Sequence, residues 1–230
     1  MKYDVIIPAA GQGSRMKAGY NKQFIKLDDR PLIVHTVAVF EEDPWCERVI
    51  LVANEKECDA MSALMKEWQM MKVRAIVPGG KERQDSVLEG LKRAEAAIVL
   101  IHDGARPFVA KESIHELVRT AADKGSAVLA VPVKDTIKEV NNGFITNTPE
   151  RTALWAAQTP QAFQKDLIVK AYEKATSEQF RGTDDASLVE KCGKKVHIVE
   201  GSDENIKLTT PLDIDIAHMI LKKRKKGEKS

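Results

Sequence analysis

The run Val5-Ile6-Ile7-Pro8-Ala9-Ala10-Gly11-Gln12-Gly13-Ser14-Arg15-Met16-Lys17-Ala18-Gly19-Tyr20-Asn21-Lys22-Gln23-Phe24 decides how the rest of the chain is read. A short apolar stretch leads into a glycine-rich loop, and a helical pattern begins only after Pro31. Gly11 and Gly13 lack a Cβ and tolerate positive φ, so their backbone can curl and aim N–H groups at an anion. Arg15, Lys17, Lys22 and Lys26 add cationic side chains, whereas the only carboxylate before Lys26 is Asp4. The loop is built for phosphate, and its spacing discriminates among phosphate loops. A dinucleotide fingerprint needs a third Gly or Ala where this chain has Met16, and a P-loop needs Gly-Lys-Ser/Thr, which follows neither glycine. What remains is Gly-x-Gly-x-x-Met with Arg15 inside and Lys22 beyond it.

Outward from this loop, short β-branched runs alternate with longer amphipathic ones, the pattern of βα units and a largely parallel sheet. Strands are predicted at 4–7, 49–53, 73–77, 98–102, 127–131 and 196–199. Helices are predicted at 32–40, 56–69, 86–96, 112–124, 166–176, 184–192 and 212–222. In such sheets ligands bind beyond the carboxyl ends of the strands, so the chemistry is sought there. After the third strand comes Pro78-Gly79-Gly80-Lys81-Glu82-Arg83-Gln84-Asp85-Ser86, where the glycines allow close approach and Ser86 is placed to cap a helix or bond a base or ribose. After the fourth comes His102-Asp103-Gly104-Ala105-Arg106-Pro107. A carboxylate at Asp103 suits Mg²⁺, which is usually anchored by one or two protein carboxylates. His102 reads as a packed neighbour rather than a base.

From Pro132 to Arg151 the alternation breaks. Asn142-Gly143 between 136–140 and 144–146 is a hairpin signal, and the arm it forms, about 132–152, is expected to pack against a second copy because an isolated two-stranded hairpin is marginal in water. The chain returns to the sheet through 154–163, Gly182-Thr183-Asp184-Asp185 opens a helix, and Thr210, Pro211 and Asp213 read as N-cap, N1 and N3 of the last one, with Lys207 just before it. Lys222-Lys223-Arg224-Lys225-Lys226 reads as a solvated, frayed tail.

Composition agrees with a single α/β domain over all 230 residues. Lys and Arg total 36 against 34 Asp and Glu, so no overall field favours nucleic acid or membrane. Cys46, Cys58 and Cys192 are scattered without a Cys-x-x-Cys pair, which argues against a disulfide framework or zinc site. No signal peptide or spanning segment is read, and the expected location is cytoplasmic.

Taken in order, Pro8-Ala9-Ala10-Gly11-x-Gly13-x-Arg15-Met16, Lys22-Gln23, Gly79-Gly80-x-Glu82-Arg83-x-x-Ser86, His102-Asp103-Gly104-Ala105-Arg106-Pro107, Pro132-Val133-Lys134-Asp135-Thr136, Gln158-Thr159-Pro160-Gln161, Thr183-Asp184 and Asn205-Ile206-Lys207 resemble the 2-C-methyl-D-erythritol 4-phosphate cytidylyltransferase family nearly end to end. The resemblance implies a Rossmann-like nucleotidyltransferase fold and a CTP-dependent, Mg²⁺-dependent, homodimeric enzyme of the non-mevalonate isoprenoid pathway, joined through the arm. It implies substrate contacts from Pro8, Ala9, Ala10, Gly11, Gly13, Gly80, Ser86, Asp103, Gly104, Arg106, Thr136, Thr159 and Thr183, with Asp103 also holding the metal. Nucleotidyl transfer to a phosphate monoester needs no general base, because the second phosphate pKa is about 6 and the nucleophile is already an anion. Cations should therefore dominate: Arg15 and Lys22 on the transition state and leaving pyrophosphate, Lys207 and Arg151 on the acceptor phosphate. Two alternatives stand beside this reading. Ribitol-5-phosphate cytidylyltransferase has the same chemistry but tends to carry Gly where this chain has Ala10, and a non-catalytic nucleotide sensor would have no need of such a clamp.

Overall fold

The apolar runs of the sequence become the strands of one sheet in the computed structural model, which describes residues 1–11 and 21–227. In chain order the strands are β1 (Tyr3–Pro8), β2 (Lys26–Leu27), β3 (Arg30–Pro31), β4 (Cys46–Ala53), β5 (Val73–Pro78), β6 (Ile98–Ile101), β7 (Ser126–Pro132), β8 (Glu139–Asn141), β9 (Phe144–Asn147), β10 (Trp155–Gln164) and β11 (His197–Glu200). The α-helices are α1 (Leu32–Glu41), α2 (Cys58–Glu67), α3 (Arg83–Leu91), α4 (Lys111–Lys124), α5 (Lys165–Ser177), α6 (Asp185–Lys191) and α7 (Pro211–Gly227). Seven strands form the central sheet in the order β11-β7-β10-β6-β1-β4-β5. All run parallel except β10, which pairs antiparallel with both β6 and β7. The chain moves from β1 outward to β4 and β5 and then returns to β6 on the other side of β1. A crevice therefore opens at the carboxyl ends of β1 and β6.

Strand periodicity explains why these runs are apolar throughout. Val5, Ile7, Leu51 and Leu100 face one side, where α1, α2 and α4 supply Ile33, Val37, Phe40, Met61, Leu117 and Val118. Ile6, Val52, Val99 and Ile101 face the other, against Val87 of α3, Tyr172 of α5 and Leu188 of α6. A strand buried on both faces leaves little room for polar residues. A smaller cluster of Leu27, Leu32, Ala105, Phe108, Leu208, Ala217 and Ile220 glues α7 across the β2–β3 hairpin and the loop after β6.

Several local boundaries differ from the sequence reading. Helix α3 starts at Arg83, not Ser86: Glu82 is its N-cap, in a reciprocal box with Asp85. The expected 56–69 helix is a 3₁₀ turn over Glu55–Glu57 followed by α2. The β2–β3 hairpin was not foreseen. Its turn holds Asp28 at φ 48° and Asp29 at φ 65°, a left-handed conformation in which aspartates are enriched. The basic run 222–226 is not a frayed tail but the last turns of α7, where Lys223 bonds Glu204 at 2.6 Å, Lys225 bonds Asp28 at 2.8 Å and Arg224 donates to the Phe108 carbonyl at 2.7 Å.

The arm is the extended tip of the β7–β10 ribbon. Asn142 and Gly143, at φ 49° and 83°, make the two-residue turn that a right-twisted hairpin favours. β8 and β9 form a separate two-stranded sheet with every residue exposed. No helix among the described residues is long and apolar enough to cross a membrane.

Candidate functional site

The carboxyl ends of β1, β5 and β6 deliver three loops to one pocket. Pro8, Ala10 and Gly11 come from the first, Gly80, Glu82, Arg83 and Ser86 from the second, and Asp103, Gly104 and Ala105 from the third. Lys22, Gln23 and Lys207 close it. The glycine pair of the second loop is required by packing of chain on chain: a Cβ on Gly79 would lie 2.8 Å from both the Ala10 Cβ and the Ser86 Oγ. Ser86 sits inside the first turn of α3, where its hydroxyl donates to the Glu82 carbonyl at 3.0 Å and accepts from the Gly80 amide at 3.1 Å. It fixes the loop and does not cap the helix.

Asp103 is the anionic centre of the pocket, its side chain 12% exposed. The Lys207 Nζ lies 2.7 Å from its Oδ2, the Arg83 Nε 3.4 Å from its Oδ1, and the Arg106 Nε 3.9 Å from its Oδ2. Burial acts to raise the carboxyl pKa, but the charges of Arg83 and Lys207 outweigh it and hold Asp103 well below the ordinary carboxylate range. Arg83 is shared: its other arm reaches buried Asp185 at 2.7 Å, and Tyr172 donates to that carboxylate at 2.5 Å. Two carboxylates keep the Arg83 guanidinium charged against the cost of burial.

Behind Asp103 runs a chain of hydrogen bonds. The Asp103 amide donates to Thr159 Oγ1 at 3.0 Å, and that hydroxyl lies 3.2 Å from the Nδ1 of His102. His102 Nε2 stands 2.9 Å from the Arg106 carbonyl. A carbonyl only accepts, so Nε2 carries the proton and Nδ1 accepts from Thr159. Burial pushes the imidazole pKa down to about 4, so the ring is neutral near pH 7 and has no solvent access. His102 is a packed neighbour, not a base. Thr159 reaches this position because β10 shifts register between Ala157 and Gln161, and Asn205 holds the bulge by donating to the Thr159 carbonyl at 2.9 Å.

Of the residues singled out from sequence, Pro8, Ala10, Gly11, Lys22, Gly80, Ser86, Asp103, Gly104 and Lys207 meet at the pocket. Ala9 is buried behind it with its amide on the Val52 carbonyl, and Thr159 supports it from within. Arg106 does not line the pocket; its guanidinium turns back to the Asn205 carbonyl at 2.6 Å. Thr136 and Arg151 are exposed on the arm, Arg151 donating to the Lys134 carbonyl at 3.0 Å, and Thr183 is exposed ahead of α6. Lys26 is exposed on β2 and takes no part. Gly13, Arg15 and Lys17 lie outside the described residues. The sequence reading gave no role to Arg83 or Gln23, although a cation in the first turn of a helix that follows a sheet strand is where a phosphate-facing group belongs.

The family model for 2-C-methyl-D-erythritol 4-phosphate cytidylyltransferase matches residues 3–223. Curated proteins of that name from Halalkalibacterium halodurans and Shouchella clausii are similar: the first is 55% identical, covering 98% of this chain and 100% of its own, and the second is 56% identical, covering 97% and 98%. Among solved structures, the 4-diphosphocytidyl-2C-methyl-D-erythritol synthase of Anaerococcus prevotii superposes with a TM-score of 0.84 at 30% identity, covering 96% of this chain and 98% of that one.

Proposed function

From a chain that belongs to the 2-C-methyl-D-erythritol 4-phosphate cytidylyltransferase family, and that is therefore a nucleotidyltransferase moving CMP from CTP to methylerythritol phosphate, we propose how this site performs the transfer. The observation that carries the proposal is the convergence of Lys22, Arg83 and Lys207 around ionised Asp103 at the carboxyl ends of β1 and β6. The triphosphate lies against the first glycine loop. Lys22, with Arg15, stabilises charge developing on the α-phosphate and on the departing pyrophosphate. Lys207 steers the acceptor phosphate. The buried, neutral His102 is not available to shuttle a proton, and none is needed, because the acceptor arrives as an anion.

Asp103 fits the role of a Mg²⁺ holder. It lines the pocket as an ionised carboxylate, and one or two protein carboxylates are the usual anchor of a Mg²⁺ ion bound mainly by phosphates. When bound there, Mg²⁺ neutralises phosphate charge.

Dimerisation through the arm belongs to the same proposal. Val140, Phe144 and Ile145 are 60%, 77% and 62% exposed, an apolar surface that a second copy would cover. Thr136 and Arg151 of one copy would then serve the pocket of the other, since they stand apart from their own. A cytoplasmic location is supported by the free thiols of Cys46, Cys58 and Cys192.

The test is pyrophosphate release with CTP, Mg²⁺ and either methylerythritol phosphate or ribitol 5-phosphate, with sedimentation velocity run on the wild type and on Phe144→Asp. Release with methylerythritol phosphate and a dimer that Phe144→Asp splits are expected. Release with ribitol phosphate alone, release without Mg²⁺, or a monomeric wild type would overturn the corresponding part.

A further inference from the structure

Asn21 immediately precedes Lys22, and its buried side chain ties three segments together. Its Nδ2 donates to the Ala9 carbonyl at 3.3 Å and to Glu57 Oε2 at 2.7 Å, while its Oδ1 accepts from the Gln23 amide at 3.1 Å and so caps the 3₁₀ turn Lys22–Phe24. Ala9 is in turn fixed to the end of β4 through the Val52 carbonyl at 2.7 Å. Glu57 closes the 3₁₀ turn that follows β4. One amide therefore holds the two ends of the glycine loop, twelve residues apart, against the strand beside it. The turn it caps carries Lys22 into the pocket, with its Nζ 3.3 Å from the Leu208 carbonyl next to Lys207. The Asn21–Glu57 bond has a carboxylate as acceptor, the kind of hydrogen bond that is shorter and stronger than one between neutral groups. Packing alone needs no polar pair at this point, and an amide satisfied three ways fixes a backbone more narrowly than apolar contact does.

We propose that Asn21 and Glu57 are positioning residues for Lys22: the pair sets where the Lys22 ammonium stands relative to the reacting phosphates, and neither residue touches substrate. The proposal rests on the role given above to Lys22, and it makes Glu57, in the turn after β4, part of the catalytic geometry.

Asn21→Asp keeps the shape and the bond from the Gln23 amide but turns the donor into an acceptor, so that two carboxylates meet where an amide met one. A misplacement of about 1 Å at a reacting group can lower a rate ~100-fold, so kcat should fall ~10- to 100-fold while the KM for CTP changes less than about threefold. In Asn21→Asp/Glu57→Gln the donor and acceptor are exchanged across the gap to residue 57 while the bond to the Ala9 carbonyl stays lost, and kcat should recover part of the loss. Lys22→Ala run beside them reads the Lys22 role by itself. If Lys22→Ala retains turnover, the role of Lys22 fails. If Lys22→Ala loses turnover and Asn21→Asp does not, or if Asn21→Asp lowers kcat and the double variant gives no recovery, the positioning pair fails. Should Asn21→Asp not fold, Glu57→Ala carries the test: a kcat loss with CTP KM held supports the pair, and a lowered melting temperature with kcat intact overturns it.

Discussion

Replacing Thr159 with Val isolates the support behind Asp103, because the two side chains have nearly the same shape and differ in one hydroxyl. That hydroxyl accepts from the Asp103 amide at 3.0 Å and donates to His102 Nδ1, 3.2 Å away. Both partners are buried and neither has water to turn to, with His102 fully enclosed. A buried polar group stripped of its partner costs ~1 to 3 kcal/mol, so two of them cost ~2 to 6 kcal/mol, a large share of the ~5 to 15 kcal/mol that holds a domain together. With a urea m-value of about 3 kcal/mol/M, the midpoint of unfolding should drop by roughly 0.7 to 2 M at unchanged m. Thr159→Ser keeps the hydroxyl and loses one methyl group, worth ~0.8 kcal/mol, and so should fall well short of that shift. Turnover should fall with stability in the Val variant alone, since the Asp103 backbone is what the hydroxyl anchors. A Val variant within ~0.5 kcal/mol of wild type, or a Ser variant as unstable as Val, would refute the hydrogen-bond chain.

Lys22→Ala should lose ~3 to 4 kcal/mol of transition-state stabilisation, a hundred-fold or larger drop in kcat, and turnover within a few-fold of wild type would remove Lys22 from the mechanism. Gly79→Ala forces a methyl to within 2.8 Å of the Ala10 Cβ and should cost ~1 to 3 kcal/mol of stability while raising the KM for CTP, because Ala10 lines the pocket; urea melts and initial rates check both. His102 binds its proton at about pH 4 in the fold and near 6.5 when unfolded, so its contribution is complete above pH ~6.5 and disappears as the pH falls through about 4. Half-buried His35 shifts in the same direction, and an NMR titration in which the His102 ring protonates near pH 6.5 would contradict the enclosure.

The parallel sheet was legible because each strand is a short apolar run and each connection is amphipathic. The pocket was legible because its loops follow those strands and carry Gly, Asp and Lys in an order shared with a known family. Most of what stayed hidden depends on contacts far apart in sequence. Lys223 and Lys225 look like a solvated run until Glu204 and Asp28 are brought beside them by α7. Arg106, expected as a substrate contact, instead turns its guanidinium to the Asn205 carbonyl, far away in sequence. Ser86 has the residue type and position of an N-cap, yet Glu82 and Asp85 satisfy each other one turn earlier, so the helix begins at Arg83. Arg83 itself becomes visible only when Asp103 and Asp185, from two different elements, flank it.

The single reversed strand has a consequence for synthesis. β10 lies between β6 and β7, pairing Gln161 with Ile101 on one side and with Val128 on the other. A ribosome that has delivered β1 through β7 has made an open-sided sheet: β6, which leads directly to Asp103, presents a bare row of amides and carbonyls, and β7 has no place to dock. Exposed strand edges of this kind invite pairing with another nascent chain. The arm between β7 and β10 therefore lengthens the interval during which that seam stays open, and the final third of the polypeptide acts as the bolt that shuts it.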